Sequence, residues 1–351
     1  MKTNLPPTNH ASFFKTPKHF HPAKLITIGN QQHPINKGDF NEADWQVMNA
    51  LTEKGHKVFV RGGKIRNSLL LPKLASRDTD LLTTATAAEI QTLFAGQCTQ
   101  NSGSINSITI NIKNSYYSYR IDINSLDLSL YNIAPFSALE NYIDSTDFTC
   151  NAFLLSVEHW SLICKPLHME LFQKGIIQTV DADPENSFAN DPSRILRGVR
   201  IADEINFRFG QKTLAAISTC KQYINNLRAS RIMKHLSLMV SARGQINTIN
   251  LINQYELAPY LTHSLEKNPA YFLKDFPAQP SLHEAIFAND LQRFLALLYS
   301  QPKLINARDE QGHTALDIIK LLPRAEYLSH LLVASAMPAK PPLDRKYFSI
   351  S

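Results

Sequence analysis

The chain has 351 residues, of which 44% are hydrophobic and 19% charged, so it can bury a sizeable core and wholesale disorder is excluded. No apolar run approaches the roughly 18–20 residues that span a bilayer, so no membrane partner is expected. The formal net charge of +6 fits a polyanionic partner. The four widely spaced cysteines form no CxxC pair and indicate reduced thiols in a cytoplasmic protein, not a zinc ribbon or a disulfide scaffold.

The first 38 residues contain lysines, histidines and prolines but no acidic side chain, since Asp39 is the first one. Such a composition is typical of a solvated tail. We therefore predict a flexible basic arm over residues 1–38, and its charge would also suit contact with phosphates.

Strand and helix patterns alternate from the end of this arm to about residue 160. Apolar spacing distinguishes the two kinds of element, and Thr86 with Glu89 has the spacing of a helix capping box. After residue 160 helical patterns dominate, so we predict an α/β head over 39–160 and an all-helical body over 161–276. The head elements are predicted, in order, as a helix over 41–51, a strand over 57–60, a helix over 65–71, a strand over 79–82, a helix over 86–94 and paired strands over 107–112 and 117–123.

The order of motifs changes again after the prolines at 277 and 280. Two short apolar helices, a turn with Asp309 and Gly312, and the start of another helix resemble about one and a half ankyrin repeats. Stacked repeats usually need at least three units for a continuous core, so this segment, 277–337, should lean on the body. The resemblance implies a surface for a protein partner, and residues 338–351 are predicted to be a tail.

Two aspartates, Asp78 and Asp80, occupy alternate positions of a predicted strand. Side chains two residues apart in a strand project from the same face, so both carboxylates should converge on one point. Adjacent carboxylates repel each other, and a divalent cation with oxygen ligands, usually Mg²⁺, relieves that repulsion. The pair alone is a weak signal, because such pairs are common in surface turns.

A glycine pair, Gly62-Gly63, lies between the strand that precedes the aspartates and the helix that follows it. Glycines at such a turn let the backbone approach a phosphate, and the helix N-terminus adds N–H donors. Arg61, Lys64 and Arg66 around the turn would supply cations for a triphosphate. A tight turn without a ligand is the structural alternative for the glycines alone.

A third carboxylate, Asp122, lies on the later predicted strand, where alternation buries Ile121 and Ile123 and turns Asp122 to the opposite face. If that strand is adjacent to the first one, Asp122 joins Asp78 and Asp80. Three carboxylates can hold two metal ions for nucleotidyl transfer. A solvated strand face is the alternative for Asp122, and the nearby Asp127 should point to the other face.

Three blocks of residues in this order resemble the class II tRNA nucleotidyltransferase/poly(A) polymerase family, a branch of the polymerase-β-like nucleotidyltransferases. The resemblance covers roughly residues 55–210. It implies an α/β nucleotidyltransferase head with a mixed sheet and an all-α neck and body that binds RNA. In this chain the ankyrin-like segment follows in place of the family's usual helical tail. The blocks are Gly62–Arg66 with Asp78–Ala85, then Asp147–Ala152, and finally Asp191–Arg200.

The resemblance also implies roles for individual residues. Asp78 and Asp80 would bind Mg²⁺. Together with Asp122, which the strand pattern places on the same face, they are the predicted catalytic residues that hold two Mg²⁺ ions, with Mn²⁺ as an alternative. A further set of residues would bind the phosphates, the ribose and the Watson–Crick edge of the base. The alternative for Arg194, Arg197 and Arg200 is a solvated helix face, which their spacing also allows. The implied nucleotide-binding set is Gly62, Gly63, Arg66, Asp147, Asn151, Asp191, Arg194, Arg197 and Arg200.

The chain departs from the family pattern at several positions. Asn67 and Asn190 replace acidic residues, and Ser145 and Thr146 replace two arginines before Asp147. These changes reduce the number of charged side chains expected around the nucleotide but leave Asp78, Asp80 and Asp122 in place. The arginine-rich signature of bacterial poly(A) polymerases is not visible, and CCA addition and poly(A) addition stay equally open.

The resemblance implies a template-independent enzyme that adds CMP or AMP from CTP or ATP to the 3′ end of tRNA or another RNA. Two alternatives stay open. One is a catalytically weakened relative that serves as a protein- or RNA-binding module. The other is a nucleotidyltransferase that modifies a protein.

Overall fold

The computed structural model describes residues 25–70, 78–100, 107–113, 118–126, 128–243, 245–261, 281–288 and 290–321. They fall into two compact units, Met1–Ala182 and Asp183–Ser351. Asp127, the tail and most of the predicted basic arm lie outside the described residues. No helix in the described part of the chain is long and apolar enough to cross a membrane.

The first unit is built on an eight-stranded mixed sheet in the order β1-β8-β7-β2-β3-β6-β5-β4. Strands β3 and β6 pair in parallel, and the other neighbouring strands pair antiparallel. The strands are β1 (Ile26–Ile28), β2 (Val58–Arg61), β3 (Asp78–Thr83), β4 (Cys98–Gln100), β5 (Ser107–Lys113), β6 (Ser118–Ser125), β7 (Leu154–Ser156) and β8 (Ser161–Cys164), and the short β9 (Ile176–Ile177) lies outside this sheet.

Six helices of the described residues accompany this sheet, and the starts of two of them follow side-chain capping signals in the sequence. Asn41 and Thr86 cap their helices through side-chain bonds, and the Thr86–Glu89 capping box predicted from the sequence is present. The helices are α1 (Glu42–Glu53), α2 (Gly63–Leu70), α3 (Ala87–Leu93), α4 (Leu128–Ile133), α5 (Pro135–Asp144) and α6 (Pro166–Gln173).

One face of the central strands is divided into an apolar half and a polar half. Phe59 of β2 and Leu82 of β3 are buried in a core cluster with Leu139 and Ile143 of α5. Asp80 lies two residues before Leu82 and therefore on the same face, but outside this cluster. Helix α5 thus covers one end of the face, and the acidic residues lie at the other.

The structure corrects two predicted boundaries. Residues 26–28 form edge strand β1 and are not part of a flexible arm, because alternating Ile-Thr-Ile pairs with β8. Residues 161–164 form β8, whose four side chains are all buried, so the first unit extends beyond the head predicted over 39–160. The all-helical body therefore begins later than residue 161.

The second unit is mainly helical. The helix over Ser193–Glu204 packs on the helix over Ala229–Arg243, and the helix over Pro184–Asn190 packs on the helix over Gln211–Cys220. Its elements are α7 (Pro184–Asn190), α8 (Ser193–Glu204), β10 (Arg208–Phe209), α9 (Gln211–Cys220), α10 (Ala229–Arg243), α11 (Gln245–Gln254), α12 (Leu282–Phe287), α13 (Leu291–Ser300) and α14 (Ala315–Leu321).

The last described segment has two helices, a turn and a third helix. In the turn, Asp309 Oδ1 accepts hydrogen bonds from the backbone N–H groups of Gln311 (3.0 Å) and His313 (2.8 Å), and Gly312 has a φ of +85°. The His283 imidazole Nε2 lies 2.9 Å from the carbonyl oxygen of His313, joining the first helix to the turn. Helix α13 of this segment also packs on α10.

A buried ion pair lies within the first unit. Lys64 Nζ is 3.5 Å from Asp44 Oδ2, and the two side chains are 5% and 0% exposed. Asp44 also completes the N-terminal cap of α1 by accepting the backbone N–H of Asn41 at 3.0 Å. Removing one member of such a pair leaves a buried charge without its partner, which is costly.

We expect Asp44→Ala to lower the free energy of unfolding by about 3–5 kcal/mol, because Lys64 is left buried and α1 loses part of its cap. The matched control is Glu170→Ala, which removes an exposed ion pair with Lys174 and should cost less than about 0.5 kcal/mol. Urea denaturation measures both. Similar losses for the two variants would contradict the structural role of Asp44.

Candidate active site

Three carboxylates lie on one face of two paired strands. In the parallel register of β3 and β6, Asp80 is opposite Asp122 and Asp78 is opposite Arg120. Neighbouring residues in register project from the same face, so the three predicted catalytic aspartates are brought to one side of the sheet. Ile121 and Ile123 are fully buried on the other side.

Arg61 provides the positive charge next to Asp80. It is opposite Asp80 in the antiparallel pairing of β2 and β3, with Nη2 at 3.6 Å from Asp80 Oδ1. The same guanidinium donates to Asn124 Oδ1 at 3.5 Å and lies 5.5 Å from the centroid of the Tyr142 ring. Burial raises the pKa of Asp80, Arg61 opposes this, and the charges of Asp122 and Asp78 add to the increase. Burial also raises the pKa of Tyr142, to about 12.

Arg120 binds Asp122 with two hydrogen bonds. Its Nε donates to Oδ1 at 3.1 Å, and its Nη2 donates to Oδ2 at 3.0 Å. Thr109 of β5, the register partner of Asp122 on its other side, donates its hydroxyl to Oδ1 at 2.5 Å. Both oxygens of Asp122 are therefore engaged by the protein.

The carboxylate set suits Mg²⁺ in the chemistry of its donors. Its donors are all carboxylate oxygens, and the absent side chain of Gly62 leaves space where a Cβ would lie 3.3 Å from Asp80 Oδ2. Within the described ranges, however, no three His, Cys, Asp or Glu side chains converge in an arrangement that could hold a metal ion. Arg61 and Arg120 instead hold two of the three carboxylates.

The glycine turn leads from β2 into helix α2. Gly62 has a φ of +68°, a conformation that side chains with a Cβ rarely adopt, and its carbonyl accepts the backbone N–H of Arg66 at 3.2 Å. Gly63 is the first residue of α2. The turn therefore positions the beginning of a helix next to Asp80.

Arg66 joins the glycine turn to the block at 147–151. It is 4% exposed, and its Nη1 donates to Asn151 Oδ1 at 2.7 Å. Asn151 in turn donates to Asp147 Oδ1 at 3.0 Å, and the same oxygen accepts the backbone N–H of Phe148 at 2.8 Å. Arg66, Asn151 and Asp147 thus form one connected network, and Gly62 adjoins it through the bond between its carbonyl and the backbone N–H of Arg66.

Lys64 does not serve as predicted. The sequence suggested that it supplies a cation for phosphates, whereas the structure buries it against Asp44. Its Nζ also lies 5.2 Å from the centroid of the Phe40 ring. The helical rotation of α2 explains this difference, because residues one and three positions after Gly63 project in different directions.

The remaining predicted residues lie in the second unit, at the end of α7 and on α8. Asp191 accepts hydrogen bonds from Ser193 Oγ (2.6 Å) and Arg231 Nη2 (2.9 Å). Arg194 donates to Ser187 Oγ at 2.7 Å. The side chains of the predicted base-reading pair, Asp191 and Arg194, therefore have separate partners, and sequence reasoning missed Arg231.

Arg197 and Arg200 lie further along α8, and Arg200 pairs with Glu204 at 2.7 Å. Burial, followed by the nearby charges of Arg197 and Arg200, lowers the pKa of His235 on α10 to about 4. Lys234 and Arg231 add to this effect. The packing of α8 and α10 therefore concentrates positive charge, as a site for an anionic ligand requires.

Comparison with known proteins identifies relatives of low sequence identity, although no family model matches the chain. The poly(A) polymerase I of Salmonella typhi is 24% identical over 258 residues, which cover 66% of this chain and 52% of that protein. The CC-adding tRNA nucleotidyltransferase of Halalkalibacterium halodurans is 24% identical over 254 residues, covering 72% of this chain and 61% of that protein. The chain thus spans about half the length of the poly(A) polymerases it matches.

A solved structure extends the comparison to the fold. The Thermotoga maritima CCA-adding enzyme complexed with tRNA_CCA superposes with a TM-score of 0.55 at 17% identity, covering 89% of this chain and 83% of that one. The fold is that of the CCA-adding enzymes. The mixed sheet and helices predicted for the head are confirmed. The relatives found by sequence are enzymes named for nucleotide addition.

We expect Gly62→Ala to lower the free energy of unfolding by about 1–2 kcal/mol, because a Cβ at positive φ is strained and would press on Asp80. Gly63→Ala is the matched control. Its Cβ would meet Arg66 Nη2 at an ordinary 3.6 Å, so the change should stay within about 0.5 kcal/mol. Equal effects in urea denaturation would show that the turn does not require a glycine at position 62.

Proposed function

We propose that the chain is a template-independent nucleotidyltransferase that adds CMP or AMP from CTP or ATP to RNA 3′ ends. The observation that carries this proposal is the face with Asp78, Asp80 and Asp122 beside the turn at Gly62, in a chain with the fold of the CCA-adding enzymes. The names of the sequence relatives support the reaction class.

Different residues of the first unit would bind the metal ions, the phosphates and the ribose. Asp78, Asp80 and Asp122 would hold two Mg²⁺ ions, or Mn²⁺ in their place. When bound, these ions activate the RNA 3′-hydroxyl and neutralise the leaving pyrophosphate. The turn at Gly62-Gly63 offers backbone N–H groups to the triphosphate, while Arg66, Asn151 and Asp147 orient the phosphates and ribose. Positioning and charge neutralisation then supply most of the catalysis.

The second unit would select the base and hold RNA. Asp191 and Arg194 can complement cytosine or adenine, because both bases present an exocyclic amine next to a ring-nitrogen acceptor. Arg197 and Arg200, in the positive region around His235, would contact phosphates. Arg231 orients Asp191 for this task. The acceptor is tRNA or another RNA, and both CCA-type and poly(A)-type addition remain within the proposal.

The segment 277–337 is proposed to be an ankyrin-like unit that contacts a protein partner in the cytoplasm. Its support is the turn held by Asp309 and the bond between His283 and His313. Because the segment packs on α10, it obtains part of its core from the helical body.

A second candidate function is a weakened relative that acts as a binding module. The observation that favours it is that Arg61 and Arg120 already form ion pairs with two of the carboxylates. Titration calorimetry with ATP and CTP separates the two candidates. Binding that requires Mg²⁺ supports the enzyme, and its absence at millimolar nucleotide supports the binding module.

We expect Asp78→Asn and Asp80→Asn each to reduce nucleotide incorporation at least about 100-fold, because each removes a charge that would neutralise bound metal. The assay uses labelled ATP or CTP, Mg²⁺ or Mn²⁺, and two acceptors: tRNA without its 3′ end and an unstructured RNA. Short products on tRNA indicate CCA-type addition, and long adenosine ladders indicate poly(A) synthesis.

The control for this assay is Glu170→Gln, which changes an exposed carboxylate on α6 and should keep wild-type incorporation. Circular dichroism checks that all variants fold. Full incorporation by a folded Asp80→Asn variant would refute the assignment of the carboxylates, and no incorporation by the wild type with either acceptor would refute the proposed reaction.

A further inference from the structure

Arg120 lies among the carboxylates but belongs to none of the sets predicted from the sequence. It precedes Asp122 by two residues on β6, so both side chains lie on the same face of the sheet. In the register with β3 it is opposite Asp78. Its hydrogen bond to Asp122 raises the pKa of its guanidinium, and the charges of Asp122, Asp78 and Asp80 act in the same direction.

We propose that Arg120 is an internal counter-ion that neutralises the carboxylate face and competes with the divalent cation for Asp122. This inference rests on the proposed function for the identity of the ion. Arg120 would therefore set the concentration of divalent cation at which the site is occupied.

The geometry at Asp122 supports direct competition. Arg120 takes Oδ1 through Nε and Oδ2 through Nη2, so its fork covers the open edge of the carboxylate. Thr109 approaches Oδ1 as well. A cation that binds Oδ2 on the edge covered by the fork displaces Nη2, which also lies 3.5 Å from Thr109 Oγ1, whereas the bond from Thr109 to Oδ1 can remain.

The exposure of Arg120 makes this displacement feasible. Its side chain is 49% exposed, so the guanidinium can exchange Asp122 for water without being buried elsewhere. Arg61 differs in this respect. It is 21% exposed, bonds Asn124 and lies over the Tyr142 ring, so it is held in place beside Asp80. Of these two arginines, Arg120 is the one whose release the structure permits.

The test measures Mn²⁺ binding to the full chain without nucleotide, by electron paramagnetic resonance of the free ion. Arg120→Met should bind Mn²⁺ about tenfold more tightly, since a charge-assisted pair no longer opposes the ion. Arg120→Lys keeps the charge but loses the fork, and it should bind with intermediate affinity. Lys174→Met removes an exposed cation that pairs with Glu170, and it should match the wild type.

A second readout is thermal unfolding in the presence of a chelator. Arg120→Met should melt at a lower temperature than the wild type there, and saturating Mn²⁺ should remove the difference, because the ion replaces the lost positive charge. The double variant Arg120→Met/Asp122→Asn should lose the gain in Mn²⁺ affinity, which locates that gain at Asp122.

Unchanged or weaker Mn²⁺ binding by a folded Arg120→Met variant would overturn the inference, as would absence of Mn²⁺ binding in every variant. The proposed function fails separately. If Arg120→Met binds Mn²⁺ more tightly but no variant extends RNA, the competition stands and the reaction does not. If RNA is extended while all variants share one Mn²⁺ affinity, the reaction stands and the competition does not.

Discussion

Asp80 and Asp122 lie opposite each other on paired parallel strands, and the sheet register does not let them move apart. Two negative charges held at paired positions of neighbouring strands raise the free energy of the folded state unless a positive charge lies nearby. The burial of Asp80 increases the problem, because burial disfavours the ionised carboxyl. Arg61 on one side and Arg120 on the other supply the compensation that the protein itself contains. The positions of the two arginines follow from the need to compensate the paired negative charges of Asp80 and Asp122.

Strands β2 and β3 contribute both to the charged face and to the apolar core. Leu82 and Phe59 pack under α5, while Asp80 and Arg61, two residues away on their strands, form the polar half of that face. Burial of the apolar half anchors the register, so the carboxylates are held by packing at a distance from them. The fixed φ of Gly62 completes the arrangement, because any larger residue there would approach Asp80. Rigid positioning of this kind is what group transfer requires.

Alternation along the strands made the carboxylate face predictable from the sequence. Ile121 and Ile123 show which way Asp122 points, and the spacing of Asp78 and Asp80 places both on one side. The Thr86–Glu89 cap was predictable for the same reason, since its signal lies within four residues. The partners of Lys64 and Asp191 were not predictable, because Asp44 and Arg231 lie 20 and 40 residues away and bear no local pattern that links them. Edge strand β1 was missed because three residues carry too little periodicity.

The thinned cations of the nucleotide site have a physical consequence under the proposed function. The resemblance expects arginines at 145 and 146, where this chain has serine and threonine. Arg61, Arg66 and Arg120 remain, yet each already contacts a protein group, so part of their hydrogen-bonding capacity is taken before a triphosphate binds. Under the proposed function, a divalent cation held by the carboxylates would supply positive charge there, and Arg120 would then be released from Asp122 toward the phosphates. Metal and nucleotide would therefore act through the same arginine, because the cation would free the guanidinium that the triphosphate needs.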